Sequence, residues 1–543
     1  MRSSYNSYKY DESSENTMRI IKKLGRFPFF GVLMGFLPIL ILWNANVSQM
    51  ETHDIVPALL MTLGFVAFFT ILAFIFIRNT VKAGLVLAAF FLFFFTFGHV
   101  YSLIEGKSLL GIQIGFLKML VVYALLFLIL TVLILINKHI SSSVSIILNL
   151  ILLFFCVANL ASIGIFNLQK RKALAVVPQA RPIITSTDST NVEELPDIYY
   201  IVLDAYSRQD ILQSQMGYDN SAFINALRQR GFYVADCANS NYDGTVASMA
   251  ATLNYEYLDT DGSESNNLSL STQLINNKIR ADLKAYGYVF VTTKGFSSEN
   301  DIPNSDIYLN YLDDASMQVK ISQSRFSRLY FETTLIRAVI ELYEQNPVRY
   351  LTIPKLNIPK LLVQADMEDK ILGYATYWFN QTNYAFDSVK EFPLKEGNFF
   401  VYAHVNLPHG PYVYDADGNF RYVDNPDDNI PYYNDAVTYA NKRTLDLVDS
   451  IITNSSTQPI IILQGDHGAH VITSGFDKNK ILSAFYLPSE AQALLYPTIT
   501  PVNTFRVILR EVFDQDIDLL PDQVYGKETN NYEYRPSSCE MNP

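Results

Sequence analysis

Apolar residues fall into two different patterns along this chain. In the first third they form five long runs, at about residues 29–43, 55–77, 83–104, 114–136 and 144–166, with charge almost confined to the segments between them. Most of these runs reach the roughly 20 residues a helix needs to cross a hydrocarbon core about 30 Å thick. Buried core helices of a soluble protein are the alternative, but five such runs in succession favour an α-helical transmembrane bundle of five spans. The first run does not read as a cleaved signal peptide, because no small-residue cleavage site follows Trp43 and four more runs come after it.

The second pattern begins after a stretch rich in Pro, Ser, Thr and Asn, residues 173–196, which reads as a tether. Residues 197–203 (DIYYIVL) then form a continuous β-branched and aromatic run, the mark of a strand buried on both faces. Helical periods at 222–230, 245–253, 272–286, 432–452 and 504–513 alternate with strand-like runs at 288–293, 399–405, 459–464 and 483–487. Such alternation predicts a doubly wound α/β domain with a mostly parallel sheet, whose chemistry gathers at the carboxyl ends of the strands. Residues 308–395 are aromatic-rich, mostly helical and broken by prolines. They read as an insertion that either shapes a cleft or lies against the membrane. The expected division is a cytoplasmic tail over 1–27, a membrane domain over 28–166, a linker over 167–195, an extracytoplasmic catalytic domain over 196–530 and a C-terminal tail over 531–543.

The count of basic residues favours one orientation. Arg2, Lys9, Arg19, Lys22, Lys23 and Arg26 precede the first run, and Arg78, Lys82 and Lys138 fall in the second and fourth connections. The opposite side has Lys107, Lys118, Lys170, Arg171 and Lys172, so nine basic residues against five place the tail in the cytoplasm and the second domain outside. A net charge of −12 argues against nucleic acid as a partner. His99 and Glu105 are too few intramembrane polar groups for a transport path. Of three cysteines, Cys156 lies in an apolar run, and Cys237 and Cys539 are a candidate disulfide that sequence separation neither supports nor excludes.

The chain has seven histidines, and the four beyond His139 fall in two tight groups, His404/His409 and His467/His470. Residues 459–470 (PIIILQGDHGAH) run an apolar strand into Gly-Asp-His-Gly, where flanking glycines let Asp466 and His467 converge on one cation. Carboxylate oxygen with imidazole nitrogen suits Zn²⁺ or Mn²⁺ better than an all-oxygen Ca²⁺ site. Asp204 stands just past the first strand, and Thr245 opens a small-residue helix, where free N–H groups favour an anion. A bound cation would make the threonine hydroxyl a usable nucleophile, although a plain helix cap is the competing role. Ser248, one turn later, is the weaker rival. Arg208 and Lys294 follow strand ends and could bind substrate anions, but a surface charge is at least as good a reading of each, and neither is placed in the active site.

Together the segments LDAYSR, SNYDGTVASMAATLN, HVNLPHGPY, GDHGAH and ILSAFYLP resemble the sulfatase-like branch of the alkaline phosphatase superfamily. The likeness is strongest to membrane enzymes of the lipoteichoic acid synthase and phosphoethanolamine transferase type, which also carry five N-terminal spans. The resemblance implies one divalent metal (Mn, Zn or Mg) on Asp204, Thr245, Asp466 and His467, with Asp204 where the synthases have Glu. It also implies that Thr245 is transiently phosphorylated and that His409 contacts the substrate phosphate or protonates the leaving group. His404 and His470 would either complete a second metal site or support the first from behind, the latter being preferred. The expected activity is transfer or hydrolysis of a lipid-linked or envelope phosphoester at the bilayer. Alternatives are a sulfatase or phosphodiesterase on extracellular polysaccharide, or a catalytically vestigial scaffold. Cys237 is followed by Ala-Asn-Ser-Asn and not by x-Pro-x-Arg, so a formylglycine sulfatase is disfavoured.

Overall fold

The computed structural model describes residues 27–47, 52–104, 108–109, 112–113, 115–141, 143–175, 195–258, 267–297, 299–311, 330, 333–337, 365–421, 430–470, 475–527 and 532–539. The charged N-terminal tail, Glu105, Lys107 and most of the tether and of the proline-broken insertion lie outside these residues. The chain divides into two compact units: Met1–Phe166 with Ser322–Lys370, and Asn167–Ile321 with Ile371–Pro543.

The first unit is built on apolar helices α1 (Phe29–Ala45), α2 (Thr52–Phe76), α3 (Thr80–Ile104), α4 (Phe116–Ile136) and α5 (Ser143–Ala175). Among the described residues, four of them contain stretches long and apolar enough to cross a membrane; α1, with 17 residues, is shorter. Of the five expected spans, four have helices of that length, and α1 falls short of it. Small residues let α1 and α3 approach closely, since a Cβ on Gly31 would stand 3.0 Å from the Gly84 carbonyl oxygen. Some polar groups within the bundle find partners away from water. Asn149 accepts from Phe30 N and donates to Phe27 O, both at 2.7 Å. Part of the insertion belongs to this unit. Tyr330 shares a hydrogen bond with Thr62 (2.6 Å), Leu335 N donates to Phe94 O (2.8 Å), and Gly98 N donates to Thr333 O (3.1 Å). The insertion is thus divided: its described residues 330 and 333–337 lie against the apolar helices, whereas 308–311 and 371–395 belong to the second unit.

The second unit holds a seven-stranded sheet. Its strands are β1 (Ile198–Leu203), β2 (Tyr233–Val234), β3 (Val289–Thr293), β4 (Ile307–Leu309), β5 (Phe399–Val405), β6 (Ile460–Gly465) and β7 (Ser483–Tyr486). They lie in the order β2-β7-β6-β1-β5-β3-β4, and only β7 runs against its neighbours. Alternate residues of β1 feed two separate cores, Tyr199, Ile201 and Leu203 on one face and Ile198, Tyr200 and Val202 on the other. All six are buried, as their unbroken apolar run requires. Helices α6 (Ser221–Gln229), α7 (Thr245–Asn254), α8 (Asn267–Ile275), α9 (Lys278–Ala285), α10 (Ala365–Val389), α11 (Ile430–Asn454) and α12 (Thr504–Glu511) accompany the sheet. The single helix expected over 272–286 is two, because Asn277 accepts from Arg280 N at 2.9 Å and caps a fresh start. Two strands with weak sequence signals, β8 (Gln523–Lys527) and β9 (Tyr532–Pro536), form an antiparallel hairpin near the C-terminus.

Candidate active site

Strand register builds the site. β1 pairs in parallel with β5 and β6, with Leu203 opposite both Val405 and Gly465. The residues after Leu203 and Gly465, Asp204 and Asp466, therefore emerge side by side, and His404 lies opposite Val202 in the next strand. Asp204, His404 and Asp466 are buried, with ligand atoms within 4.8 Å of one another, a grouping that could hold a metal ion. Glycine is needed at 465, because a Cβ there would stand 2.5 Å from the Tyr206 carbonyl oxygen. The turn after Asp204 also carries Ala205 at φ 61, a left-handed conformation that is costly for a residue with a Cβ. It is held by Ala205 N donating to Asp466 Oδ1 (2.9 Å) and Tyr433 OH donating to Ala205 O (2.8 Å).

Asp204 Oδ1 and Asp466 Oδ2 are buried and make no hydrogen bond among the described residues. Both face His467 Nε2, at 3.8 and 3.5 Å. Buried anionic oxygens left this way are costly unless a cation completes them. The nearby imidazoles relieve part of the cost. Burial alone would raise the Asp204 pKa, but His409, His404 and His467 hold it below the usual carboxylate range. Burial likewise opposes a charge on His404, and the Asp204 hydrogen bond outweighs it and raises that imidazole.

Each histidine is oriented by a specific partner. His467 Nδ1 donates to Gly468 O (2.8 Å), which turns Nε2 toward the two carboxylates and Thr245 Oγ1, the last 3.1 Å away. His404 is fixed at both nitrogens, Nε2 by Asp204 Oδ2 (3.2 Å) and Nδ1 by Tyr402 OH (3.0 Å). His409 N donates to Asp204 O (3.0 Å), tying the Pro-His-Gly-Pro turn to the site, and its Nδ1 donates to Gly410 O. His409 and His470 meet through their Nε2 atoms at 2.8 Å.

Thr245 is the first residue of α7 and half-buried, whereas Ser248 is wholly buried within the helix. The structure thus brings Asp204, Thr245, His404, His409, Asp466, His467 and His470 into one locality. Arg208 and Lys294 are engaged elsewhere, in ion pairs with Asp210 and Asp301. Sequence reasoning passed over Tyr402, which orients His404, and Ser207, whose Oγ accepts from Ala469 N (2.9 Å) and shapes the Gly-Asp-His-Gly loop. Only their place on the strand-to-turn segments that carry the ligands could have singled them out.

A family model described as Sulfatase matches residues 196–505, more than half of the chain. No curated protein matches it. Among solved structures it is similar to the C-terminal periplasmic domain of EcEptC from Escherichia coli in complex with Zn, at 10% identity and TM-score 0.36, over 60% of this chain and 84% of that one. It is also similar to the integral membrane lipooligosaccharide phosphoethanolamine transferase A (EptA) of Neisseria meningitidis, at 10% identity and TM-score 0.38, over 90% and 94% of the two chains. A third likeness is to the lipoteichoic acid synthase LtaP of Listeria monocytogenes, at 12% identity and TM-score 0.33, over 63% and 76%.

Proposed function

The chain belongs to the sulfatase family, hydrolases and phosphotransferases of the alkaline phosphatase superfamily, and from that premise we propose a membrane-anchored, metal-dependent phosphoester transferase or hydrolase with Thr245 as its nucleophile. Its substrate is lipid-linked or part of the cell envelope. The observation that carries this reading is the pair of unpartnered buried carboxylate oxygens, Asp204 Oδ1 and Asp466 Oδ2, gathered with Thr245 around His467 Nε2.

These oxygen and nitrogen donors fit one divalent ion, Mn²⁺, Zn²⁺ or Mg²⁺, held by Asp204, Thr245, Asp466 and His467. When bound, such an ion stabilises the threonine alkoxide and offsets charge on the transferring oxygens. The residues do the rest. Thr245 Oγ1, at the amino end of α7, gives up its proton to water and attacks phosphorus as the bond to the leaving oxygen breaks. That leaves the group esterified to Thr245. His409, with Nδ1 engaged by Gly410, gives its Nε2 proton to the leaving oxygen, and His470 Nε2 is its exchange partner. An acceptor alcohol, for transfer, or water, for hydrolysis, then attacks that phosphorus, its proton passing to His409 Nε2 as the bond to Thr245 Oγ1 breaks. His404 acts from behind Asp204, holding its carboxylate in place through Nε2.

The division that serves this chemistry is a five-span membrane domain over 28–166, a linker over 167–195 and an outer catalytic domain over 196–530. The excess of basic residues before the first span supports that orientation. So does the Cys237–Cys539 disulfide, a bond typical of oxidising compartments. The test is to purify the full chain in detergent, determine bound metal, and assay p-nitrophenyl phosphate monoester, diester and sulfate. Metal-dependent phosphoester turnover that Thr245→Ala abolishes is the expected result. A metal-free protein inert on all three esters would leave the scaffold reading in its place.

A further inference from the structure

The chain does not end with its last core helix. Beyond α12, the hairpin of β8 and β9 pairs from Gln523 opposite Pro536 to Lys527 opposite Tyr532 and lies against the loop that delivers Thr245. Tyr525 N donates to Asn241 O, and Asn241 Nδ2 donates to Gln523 O, both at 2.8 Å. Asn241 is wholly buried, and its Oδ1 accepts from Val502 N at 2.8 Å. The Tyr525 ring stacks on Tyr242, three residues before Thr245, with centroids 5.0 Å apart and planes 9° from parallel.

The same strand reaches the loop under the other half of the site. Asn479 Nδ2 donates to Tyr525 O (3.2 Å) and to Ser240 O (3.3 Å), and Ser240 N donates back to Asn479 O (2.7 Å). One residue earlier, Lys478 O accepts from Gly468 N (2.6 Å), directly after Asp466 and His467. β8 therefore touches both the loop entering Thr245 and the loop supporting the metal-site turn. The end of the strap is fastened twice. Cys539 is bonded to Cys237, with Cα atoms 4.9 Å apart, and Asn239 Nδ2 donates to Ser537 Oγ at 2.9 Å.

We propose that this disulfide-fastened hairpin is a clamp that positions the Thr245 loop against the Asp466–His467 loop, with Asn241 and Tyr525 as positioning residues. The inference rests on Thr245 being the nucleophile. None of these contacts is made to Asp204, Asp466, His467 or His409 themselves, so loosening the clamp displaces Thr245 while the other three metal ligands and the phosphate contact stay in place. Small displacements of a reacting group carry large rate penalties. The site is fully assembled only where the disulfide can form.

The experiment compares the full chain with Cys539→Ser, Tyr525→Ala and Tyr525→Phe, each assayed for kcat, KM and bound metal on a phosphoester. In parallel the unmodified protein is treated with a water-soluble phosphine. The phosphine takes the oxygen of one water, and each freed sulfur takes a hydrogen. Because Cys237 is buried and Cys539 exposed, attack comes from the Cys539 side. Cys539→Ser, Tyr525→Ala and reduction should each lower kcat about tenfold or more, with metal retained and KM within about twofold. Tyr525→Phe keeps the stack and should keep kcat, and the phosphine should do nothing further to Cys539→Ser. Unchanged kcat in Cys539→Ser and Tyr525→Ala, beside an inactive Thr245→Ala, would overturn the clamp and leave the nucleophile standing. Metal lost in step with kcat would overturn positioning in favour of a plain scaffolding role. An active Thr245→Ala would remove the premise of both.

Discussion

The two units of this protein solve opposite solvent problems with the same residue types. In the helical unit, large apolar side chains such as Phe76, Ile75 and Phe154 point outward, while small residues and a few hydrogen-bonded polar groups hold the helices together. In the α/β unit the reverse holds. Beyond α5, only Leu394, Phe420, Ile430 and Tyr534 are large apolar side chains exposed among the described residues, and the interior admits carboxylates and imidazoles at the strand ends. An apolar exterior is stable only in lipid, and a charged interior only when its charges are completed. The first unit therefore tells where the protein resides, and the second what it does there.

Each half of this contrast can be broken separately. The largest effect belongs to the site: Thr245→Ala should lower phosphoester turnover by about 10³-fold or more, read as kcat with bound metal measured alongside. Asp466→Asn removes one of the two unpartnered carboxylates and should abolish stoichiometric metal binding by elemental analysis. A charge on the lipid-facing surface comes next. Phe154→Arg, at a side chain 67% exposed in α5, should cost about 2.5–3.5 kcal/mol of membrane insertion and reduce the membrane-integrated yield. Tyr402→Phe frees His404 Nδ1 and should weaken metal affinity by about 10- to 100-fold by chelator competition. The smallest effect sharpens the comparison most. Leu394→Arg, at a side chain 72% exposed in the α/β unit, should change stability by less than about 0.5 kcal/mol, because water already bathes that position.

What could be read from the sequence follows from how local each signal is. An unbroken apolar run entering Asp204 or Asp466 announces a buried strand ending in a ligand, and the doubly wound sheet follows from repeating that pattern. The pairing of His404 with Asp204 was not legible, because it depends on the register between β1 and β5, set across 200 residues of chain. Neither was the break at Asn277, since one capping side chain interrupts an otherwise continuous helical period. The hairpin of β8 and β9 lacks apolar alternation, and its stability comes from Asn241, Asn479 and the Cys539 bond, all contacts distant in sequence. The Cys237–Cys539 pair was nameable as a candidate, but only the fold brings the two cysteines together.

The most direct test is to trap the covalent intermediate. The metal-loaded full chain is mixed with a phosphate ester, quenched in acid within one turnover, digested and mapped by mass spectrometry. The account predicts a phosphoester adduct on Thr245, absent from Thr245→Ala and absent when metal is withheld. An adduct on Ser248 or another residue, or brisk turnover with Thr245 never modified, would contradict it.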